Sequence, residues 1–331
     1  MISLLNSLML TILVGSNTAY WGHTYLAEGN DKVYALRSLS PASSLCVFDS
    51  KALNGRVGVI ELASLQVPMT ESKTEGEESC HITLLSREAV VSDYTSGTLT
   101  LYPLDERGAV CGTHRLLHFD GSGLHPTRQR SSHIHSSVLS PDGKSLVVVD
   151  LGCDKLYLFA VENGRVANQL SIVSTPAGSG PRFSTFSNDG KYLYVVTELS
   201  DEVLVYATSD FALLGRYPLH TANPGGGAHI ALSSDGRYLY ASLRVSSVAQ
   251  DCPISDGVAI YECLAGGKLK KLCYQPTGGH PRHFALSADG KALVVACRDD
   301  DMLELYPLEN GVPIGKVEKI TVPKPVYVGL R

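Results

Sequence analysis

The sequence predicts an all-β fold built from a repeated unit of about 47 residues. The pattern Ser-x-Asp-Gly-Lys/Arg-x-Leu-x-Val/Ala occurs four times, at intervals of 47, 46 and 54 residues, beginning at Ser140, Ser187, Ser233 and Ser287. Runs rich in Val, Leu and Tyr flank each copy, and clusters of Gly and Pro separate these runs, as expected for short strands joined by turns. A repeat of this length is typical of a four-stranded β-propeller blade. Because the chain has 331 residues, we predict a seven-bladed β-propeller with four antiparallel strands per blade.

Each repeat is predicted to contain a strand, an Asp-Gly turn, a second strand and a third strand. The segments HSSVLS, RFSTFS, HIALS and HFALS supply the first strands, and KLYLFAV, EVLVYA, GVAIYEC and MLELYPL supply the third. A fourth, more variable strand fits before the next copy. The turn aspartates recur in every copy, so we expect them to bind their own backbone and to take no part in chemistry. These residues are Asp142, Asp189, Asp235 and Asp289.

The N-terminal part of the chain carries only degenerate copies of the repeat. We assign residues 1–331 to a single propeller domain, with degenerate or shortened first blades in 1–80 and clear repeats in 81–331. The apolar stretch from Met1 to Gly15 has the length of a signal-peptide core, but no Lys or Arg precedes Lys32. We therefore predict that Thr11 to Gly15 forms the first strand of a cytoplasmic protein. Export is the alternative, if this stretch is a signal peptide.

Composition excludes several classes of function. The chain has 28 Lys and Arg against 33 Asp and Glu, and it has no basic run, so no nucleic-acid partner is expected. The apolar N-terminal stretch is too short to span a membrane. The eight cysteines form no C-x-x-C pair and no Cys/His cluster with zinc-ligand spacing, which indicates reduced thiols and no metal site. Nothing in the sequence indicates an oligomeric state.

Equivalent positions of the repeat separate scaffold from candidate site. Five residues before the repeat Ser, the chain has His135, Arg182, Ala228 and Arg282. Eleven residues after it, the chain has Leu151, Glu198, Arg244 and Arg298. The first set is predicted at the start of the first strand and the second set at the end of the next strand, so both should open on one end of the propeller. Six of these eight residues are ionisable, which indicates function because a structural position would more often repeat one residue type.

Structural explanations remain open for some of these residues. His135 could be a solvated histidine at a strand end, with His133 on the same face if the strand extends that far. Arg182 and Glu198 could form an ion pair across one hairpin. Arg298 precedes three consecutive aspartates, so a surface charge network is its favoured role.

The longest motifs resemble those of the lactonase seven-bladed β-propeller family. The segments that carry the resemblance are HIHSSVLSPDGKSLVVVDLGCDKLYLF, GSGPRFSTFSNDGKYLYVVTELSDEVLVY, GGHPRHFALSADGKALVVACRDDDMLELY and, more weakly, DYTSGTLTLYPLDERGAV. The resemblance runs from about His81 to the C-terminus, where TVPKPVYVGL is similar to the closing strand of the family. Members include bacterial 6-phosphogluconolactonases and fungal carboxy-muconate cyclases.

The resemblance implies a set of site residues that overlaps the set from the repeat. The active-site positions of the family fall on His135, Arg182, Glu198 and Arg244. We add three substrate-binding candidates, which are Arg282, His133 and His229. The sequence departs from the family at Phe183, where His is common, at His229, where Glu is usual, and at Leu243, which replaces a common Asn. These departures affect the expected substrate pocket more than the catalytic positions.

The function implied is hydrolysis of a small-molecule sugar lactone, with 6-phosphogluconolactone of the pentose phosphate pathway as the favoured substrate. His135 is the expected general base because its ordinary pKa of about 6.5 is near neutrality, and Glu198 is the second acid or base. Arg182 and Arg244 are expected to clamp an anionic group, with Arg282 in reserve. The scheme requires no metal and no cofactor. The alternatives are a lactonising muconate cyclase and a non-catalytic propeller that serves as an interaction platform.

Overall fold

A computed structural model describes residues 11–17, 25–29, 32–39, 42–49, 58–61, 68, 70–222, 224–245 and 254–330. In chain order, the strands in this part of the chain are β1 Thr11–Ser16, β2 Leu26–Gly29, β3 Lys32–Leu39, β4 Ala42–Asp49, β5 Gly58–Glu61, β6 Thr70–Lys73, β7 Ser79–Leu84, β8 Glu88–Asp93, β9 Thr98–Pro103, β10 Arg115–His118, β11 Ile134–Leu139, β12 Ser145–Asp150, β13 Lys155–Glu162, β14 Arg165–Ser174, β15 Pro181–Phe186, β16 Tyr192–Thr197, β17 Glu202–Ala207, β18 Leu213–Pro218, β19 Gly227–Leu232, β20 Tyr238–Leu243, β21 Gly257–Cys263, β22 Leu269–Pro276, β23 Pro281–Leu286, β24 Ala292–Cys297, β25 Met302–Glu309, β26 Val312–Pro313, β27 Glu318–Thr321 and β28 Pro325–Leu330.

The chain divides into two compact units. The C-terminal unit contains residues 1–16, 56–62 and 182–331, and the N-terminal unit contains residues 17–55 and 63–181. The assignment of the whole chain to one domain stays a prediction. No helix in the described ranges is long and apolar enough to cross a membrane.

The N-terminal unit contains three four-stranded sheets, with strand orders β2-β3-β4-β6, β7-β8-β9-β10 and β11-β12-β13-β14. All of their strand pairs are antiparallel. The first of these sheets lies within residues 1–80, where the repeat is degenerate. It has four strands, and its two edge strands β2 and β6 have only four residues each.

The C-terminal unit contains two four-stranded sheets, β15-β16-β17-β18 and β19-β20-β21-β22, and a five-stranded sheet, β23-β24-β25-β26 with β27 also paired to β25. A further sheet has three strands in the order β28-β1-β5. Six sheets in the described part of the chain therefore have four or more strands, which confirms the all-β prediction and the four-stranded repeat for those sheets. The predicted count of seven four-stranded blades is not matched by the three-stranded sheet.

The three-stranded sheet joins segments that are far apart in the sequence. Strand β1 pairs antiparallel with β28, so that Ile12 lies opposite Leu330 and Val14 opposite Val328, and it pairs parallel with β5. Ile12 and Val14 are buried in a core cluster that includes Val294. The predicted first strand at Thr11 to Gly15 and the predicted closing strand are both confirmed. Residues 1–10 of the apolar stretch lie outside the described residues.

The position of a strand within its sheet determines its burial. Second strands such as β16 and β24 are buried along almost their whole length, whereas the fourth strands β14 and β18 are largely exposed. Apolar side chains on the first three strands thus form the core, at about 1.5–3 kcal/mol for each fully buried Val, Leu or Ile. The fourth strand buries fewer apolar side chains, which explains why its sequence varies between repeats.

The Asp-Gly turns confirm the predicted role of the recurring aspartates. The Oδ1 atom of Asp189 accepts hydrogen bonds from the Ser187 hydroxyl at 2.7 Å and from the Lys191 backbone N–H at 3.1 Å. The Ser187 bond, followed by the Lys191 contacts, lowers the pKa of Asp189 to about 2. The next residue, Gly190, has a φ of 71°, which favours glycine. The equivalent bonds occur at Asp142, Asp235 and Asp289.

Candidate active site

The two sets of repeat positions lie where the first strand of a sheet begins and where its second strand ends. His135, Arg182, Ala228 and Arg282 are the second residues of β11, β15, β19 and β23. Leu151, Glu198, Arg244 and Arg298 directly follow β12, β16, β20 and β24. In the pairing, Ile134 is opposite Asp150, Gly227 opposite Leu243 and Pro281 opposite Cys297, so the start of each first strand meets the end of the second. The predicted strand positions are therefore confirmed.

A local irregularity marks the same position in several sheets. The register of the first two strands shifts between Ile134 and Ser136, and again between Pro281 and His283. A shift of this kind inserts a residue that is not in the regular ladder and re-aims its side chain, as β-bulges beside active sites do. His135 and Arg282 are the residues at these shifts.

The C-terminal unit brings Arg182, Glu198 and Arg244 together, and we call these three residues the arginine cluster. Oε2 of Glu198 accepts a hydrogen bond from Nε of Arg182 at 2.7 Å and another from Nη2 of Arg244 at 2.9 Å. The ion pair across one hairpin is thus present, but an arginine from the next sheet shares its carboxylate. All three side chains are at least 93% buried.

Other N–H groups of the two guanidinium groups donate to backbone carbonyls. Nη1 of Arg182 donates to the Ala228 carbonyl, and Arg244 donates to the carbonyls of Gly226 and Gly227 at 3.0 and 3.2 Å. A Cβ atom at Gly227 would lie 2.1 Å from the Thr197 carbonyl oxygen, so only glycine fits here. Two cations and one anion leave a net charge of +1, which suits the arginine cluster to an anionic ligand.

Asp201 anchors the glycine segment that contacts Arg244. Its carboxylate accepts hydrogen bonds from the backbone N–H groups of Gly225 at 2.6 Å and Gly227 at 2.8 Å. Burial raises the pKa of Asp201 to about 6, against the lowering effect of these two bonds and of Arg244. Asp201 therefore fixes, through backbone N–H groups, the same glycine segment whose carbonyls bind Arg244.

His280 is a buried histidine in the same unit that the sequence analysis did not identify. It is 3% exposed, has a φ of 57°, and neither ring nitrogen has a hydrogen-bond partner among the described residues. Burial lowers its pKa far below the ordinary value, and the positive charges of Arg244, Arg298, Arg282 and Arg182 lower it further. This environment favours the neutral form of His280, although Oδ2 of Asp299 lies 3.6 Å from its Nδ1.

Arg282, Arg298 and His229 have other contacts in the same unit. Arg298 donates from Nε to Asp299 at 2.7 Å, as the predicted charge network requires. Arg282 is half-buried and influences His280 through its charge. His229 belongs to a stack of rings, with centroids 3.8 Å from His283 and 5.2 Å from Phe183.

The N-terminal unit brings His133 and His135 together on one tyrosine, and we call His133, His135 and Tyr94 the histidine–tyrosine cluster. The His133 ring stacks on Tyr94 with centroids 4.4 Å apart and planes within 7°. The His135 ring contacts the same tyrosine edge-on at 5.6 Å. His135 is only 5% exposed, so the alternative of a solvated strand-end histidine is wrong. The thiol of Cys80 donates to the His135 carbonyl at 3.2 Å.

Tyr94 and Cys80 occupy the same repeat positions as the predicted site residues. Cys80 is the second residue of β7, as His135 is of β11, and Tyr94 directly follows β8, as Glu198 follows β16. Neither residue is reached by counting from the repeat Ser, because the turn between β7 and β8 lacks the Ser-x-Asp-Gly motif. Counting from the strands instead of from that motif would have found them. The described residues contain no group of three or more His, Cys, Asp or Glu that could hold a metal ion.

Comparison with known proteins identifies the family. The family model described as "Lactonase, 7-bladed beta-propeller" matches residues 23–330. The chain belongs to this family. The match begins well before residue 81, where the resemblance in the motifs begins, so it also includes the degenerate N-terminal repeats. The fold is accordingly an all-β propeller.

Several members of the family are similar along much of their length. A protein of Formosa agariphila named 6-phosphogluconolactonase is 32% identical over 240 residues, which are 70% of this chain and 65% of that protein. A 6-phosphogluconolactonase of Bacillus subtilis is 28% identical over 77% of this chain and 73% of its own. A candidate 6-phosphogluconolactonase of Bacteroides fragilis, known from its crystal structure, has a TM-score of 0.83 at 28% identity and covers 99% of both chains.

Proposed function

We propose that this protein hydrolyses a sugar lactone and that its substrate is 6-phosphogluconolactone. The observation that carries the proposal is the arginine cluster, in which two buried guanidinium groups share one carboxylate and retain one positive charge. A fixed, desolvated guanidinium binds phosphate in two-point geometry and stabilises negative charge that develops on a lactone carbonyl. Relatives named 6-phosphogluconolactonase support the substrate.

Hydrolysis requires one proton transfer in each direction. A base takes a proton from water while the water oxygen bonds to the carbonyl carbon, which gives a tetrahedral oxyanion. The ring C–O bond then breaks, and the ring oxygen receives the proton from the same group. Imidazole suits this exchange near neutral pH, so we assign it to the histidines of the histidine–tyrosine cluster, of which His135 is the residue predicted from the sequence.

Glu198 has a different role in this proposal from the acid or base role expected from the sequence. Its Oε2 atom accepts two charge-assisted hydrogen bonds, and the carboxylate is buried. Protonation would remove the negative charge that strengthens both bonds and leave two buried cations without a counterion. We therefore propose that Glu198 holds Arg182 and Arg244 in place.

Three further properties belong to the proposal. The three-stranded sheet of β28, β1 and β5 would be the seventh blade, because it is the one remaining sheet in the described part of the chain. A reducing compartment such as the cytoplasm suits the seven described cysteines, all of which are free thiols. The reaction would need no metal, because an imidazole base activates the attacking water and the arginines stabilise the negative charge.

The test is hydrolysis of freshly generated 6-phosphogluconolactone by the purified protein in EDTA, corrected for the spontaneous reaction, with gluconolactone run in parallel. We expect chelator-resistant turnover of the phosphorylated lactone and weaker turnover of gluconolactone. Arg216→Ala is a matched control because Arg216 forms only an exposed ion pair with Glu202 in the same unit. Loss of activity in EDTA would contradict the metal-free scheme. Inactivity on both lactones would favour a muconate cyclase, tested next with carboxylated muconates, or a binding platform.

A further inference from the structure

The two histidines of the histidine–tyrosine cluster differ in how their ring nitrogens are held. Nδ1 of His133 lies 2.9 Å from the backbone carbonyl oxygen of Tyr94. A carbonyl oxygen can only accept, so Nδ1 carries the proton and donates it. A neutral imidazole has one N–H, so Nε2 of His133 keeps its lone pair. The contact thus selects the tautomer in which Nε2 is the basic atom.

The His133 ring is also fixed in position. Its face stacks on Tyr94, and its backbone N–H donates to Oδ1 of Asp150 at 2.9 Å. Gly152 packs close to it, since an added Cβ would lie 3.0 Å from Cδ2 of the ring and 1.9 Å from the Ser131 carbonyl oxygen. The backbone, ring plane and Nδ1 of His133 therefore all have defined contacts.

Nε2 of His133 has no contact of this kind. No described residue forms a hydrogen bond with it, and the side chain is half-buried, so the atom is open to a small ligand or water. His135 differs because it is 5% exposed and its Nδ1 is buried from solvent. His133 thus combines a fixed tautomer with an accessible lone pair.

Arg128 completes the support around Tyr94. Its Nη2 atom donates to the Tyr94 hydroxyl at 3.0 Å from the segment between β10 and β11. Among the described contacts, the charged and titratable groups near His133 are Arg128, Asp150, Tyr94 and His135. Asp150 uses its carboxylate for backbone N–H groups and for the Ser132 and Tyr157 hydroxyls.

We propose that His133, not His135, is the proton acceptor in lactone hydrolysis, and that Tyr94 is the positioning residue that fixes its tautomer and ring plane. This inference rests on the proposed lactonase function. Nε2 of His133 takes the proton of the attacking water as its oxygen bonds to the carbonyl carbon. The same nitrogen returns the proton to the ring oxygen when the C–O bond breaks, so His133 ends neutral.

The kinetic test compares His133→Gln with His135→Gln on the lactone that the wild-type protein hydrolyses. We expect kcat to fall by about 10²–10⁴ in His133→Gln, the usual range for loss of a general base, and by less than about tenfold in His135→Gln. His118→Gln is the control, because His118 is exposed at the end of β10 in the same unit. Equal losses in the two variants, or a larger loss in His135→Gln, would overturn the inference.

The positioning role of Tyr94 has its own readout. Tyr94→Phe keeps the ring and the backbone carbonyl, so it should retain activity within a few-fold of wild type. Tyr94→Leu removes the stacking partner and should lower kcat about tenfold and shift the acidic limb of the pH–rate profile. Unchanged kcat and an unchanged profile in Tyr94→Leu would contradict a positioning role.

A spectroscopic measurement tests the tautomer without relying on activity. In protein labelled with ¹⁵N-histidine, the His133 signals, identified by their loss in His133→Gln, should show a protonated Nδ1 and an unprotonated Nε2. A protonated Nε2 in the neutral ring would overturn the inference even in an active enzyme. Wild-type protein that hydrolyses no lactone would instead overturn the proposed function, and the catalytic role of His133 with it.

Discussion

The arginine cluster and the histidine–tyrosine cluster are held in opposite ways. In the arginine cluster, Glu198 and three backbone carbonyls accept hydrogen bonds from the two guanidinium groups, and all three side chains are buried. In the histidine–tyrosine cluster, one carbonyl and one aromatic ring fix His133 and leave Nε2 open. Charge-assisted hydrogen bonds hold a guanidinium charge in a fixed place, whereas an open lone pair allows a proton to move.

The difference shows how one repeat position supports different chemistry. Tyr94 and Glu198 both directly follow the second strand of their sheet. Glu198 receives its contacts through its own carboxylate, while Tyr94 supports a neighbour through its backbone carbonyl and ring. The fold fixes the position after the second strand, and the side chain at that position determines whether it holds a charge or orients a base.

The largest expected effect comes from removing the anion of the arginine cluster. Glu198→Gln leaves two buried guanidinium groups without a counterion, so we expect the free energy of unfolding to fall by about 3–5 kcal/mol. Urea denaturation measures this change. Glu202→Gln is the matched control in the same sheet, because its ion pair with the half-exposed Arg216 should be worth at most about 1 kcal/mol. Equal losses in both variants would show that the buried contacts do not hold the cluster.

Arg244→Ala tests whether the arginine cluster holds the anionic group of the substrate. A lost charge-assisted hydrogen bond costs about 1.5–3 kcal/mol, so KM for the phosphorylated lactone should rise roughly 10- to 100-fold. Steady-state kinetics on both lactones measures this, with Arg216→Ala as the control. A similar rise in KM for gluconolactone would exclude phosphate binding as the role of Arg244.

The pH dependence of stability tests the environment of His280. The pKa of His280 is lowered in the folded protein, so below its ordinary pKa of about 6.5 the unfolded chain binds more protons and stability falls as pH falls. His280→Gln should therefore remove about 2 kcal/mol of the stability loss between pH 7 and pH 5. Asp201, whose pKa is raised to about 6, acts in the opposite direction but is present in both proteins. Parallel stability–pH curves for the two proteins would show that His280 does not resist protonation.

The smallest effect is expected at a recurring turn. Asp289→Ala removes one acceptor of the Ser287 hydroxyl and of the Lys291 backbone N–H, at a cost of about 1 kcal/mol. Activity should be unchanged, because the residue belongs to the repeat scaffold and not to either cluster. A fall in kcat without a fall in stability would show that this recurring position has a function.

The sequence predicted the parts of the molecule that depend on local pattern. Strand alternation and the Asp-Gly turns predicted the strands of the repeated sheets. Counting from the repeat Ser predicted that Arg182, Glu198 and Arg244 lie at the corresponding strand ends. That the carboxylate of Glu198 is shared between two sheets could not be predicted, because it depends on how adjacent sheets pack.

Tyr94 and His280 could not be predicted from the sequence, for two different physical reasons. Tyr94 was missed because its repeat has a shortened turn, so a count from the motif does not reach it. His280 was missed because it lies seven residues before Ser287, outside the two positions that were counted, although His133 is its equivalent before Ser140. Its burial and its surrounding arginines are properties of the tertiary structure alone.

The pairing of β1 with β28 also sets an order of events during synthesis. Ile12 and Leu330 are partners, so β1 leaves the ribosome long before the strand that covers one of its edges exists. Until then, an apolar strand with an unpaired edge is available to other chains or to proteases. A chain that stops before β28 therefore leaves this edge of β1 uncovered.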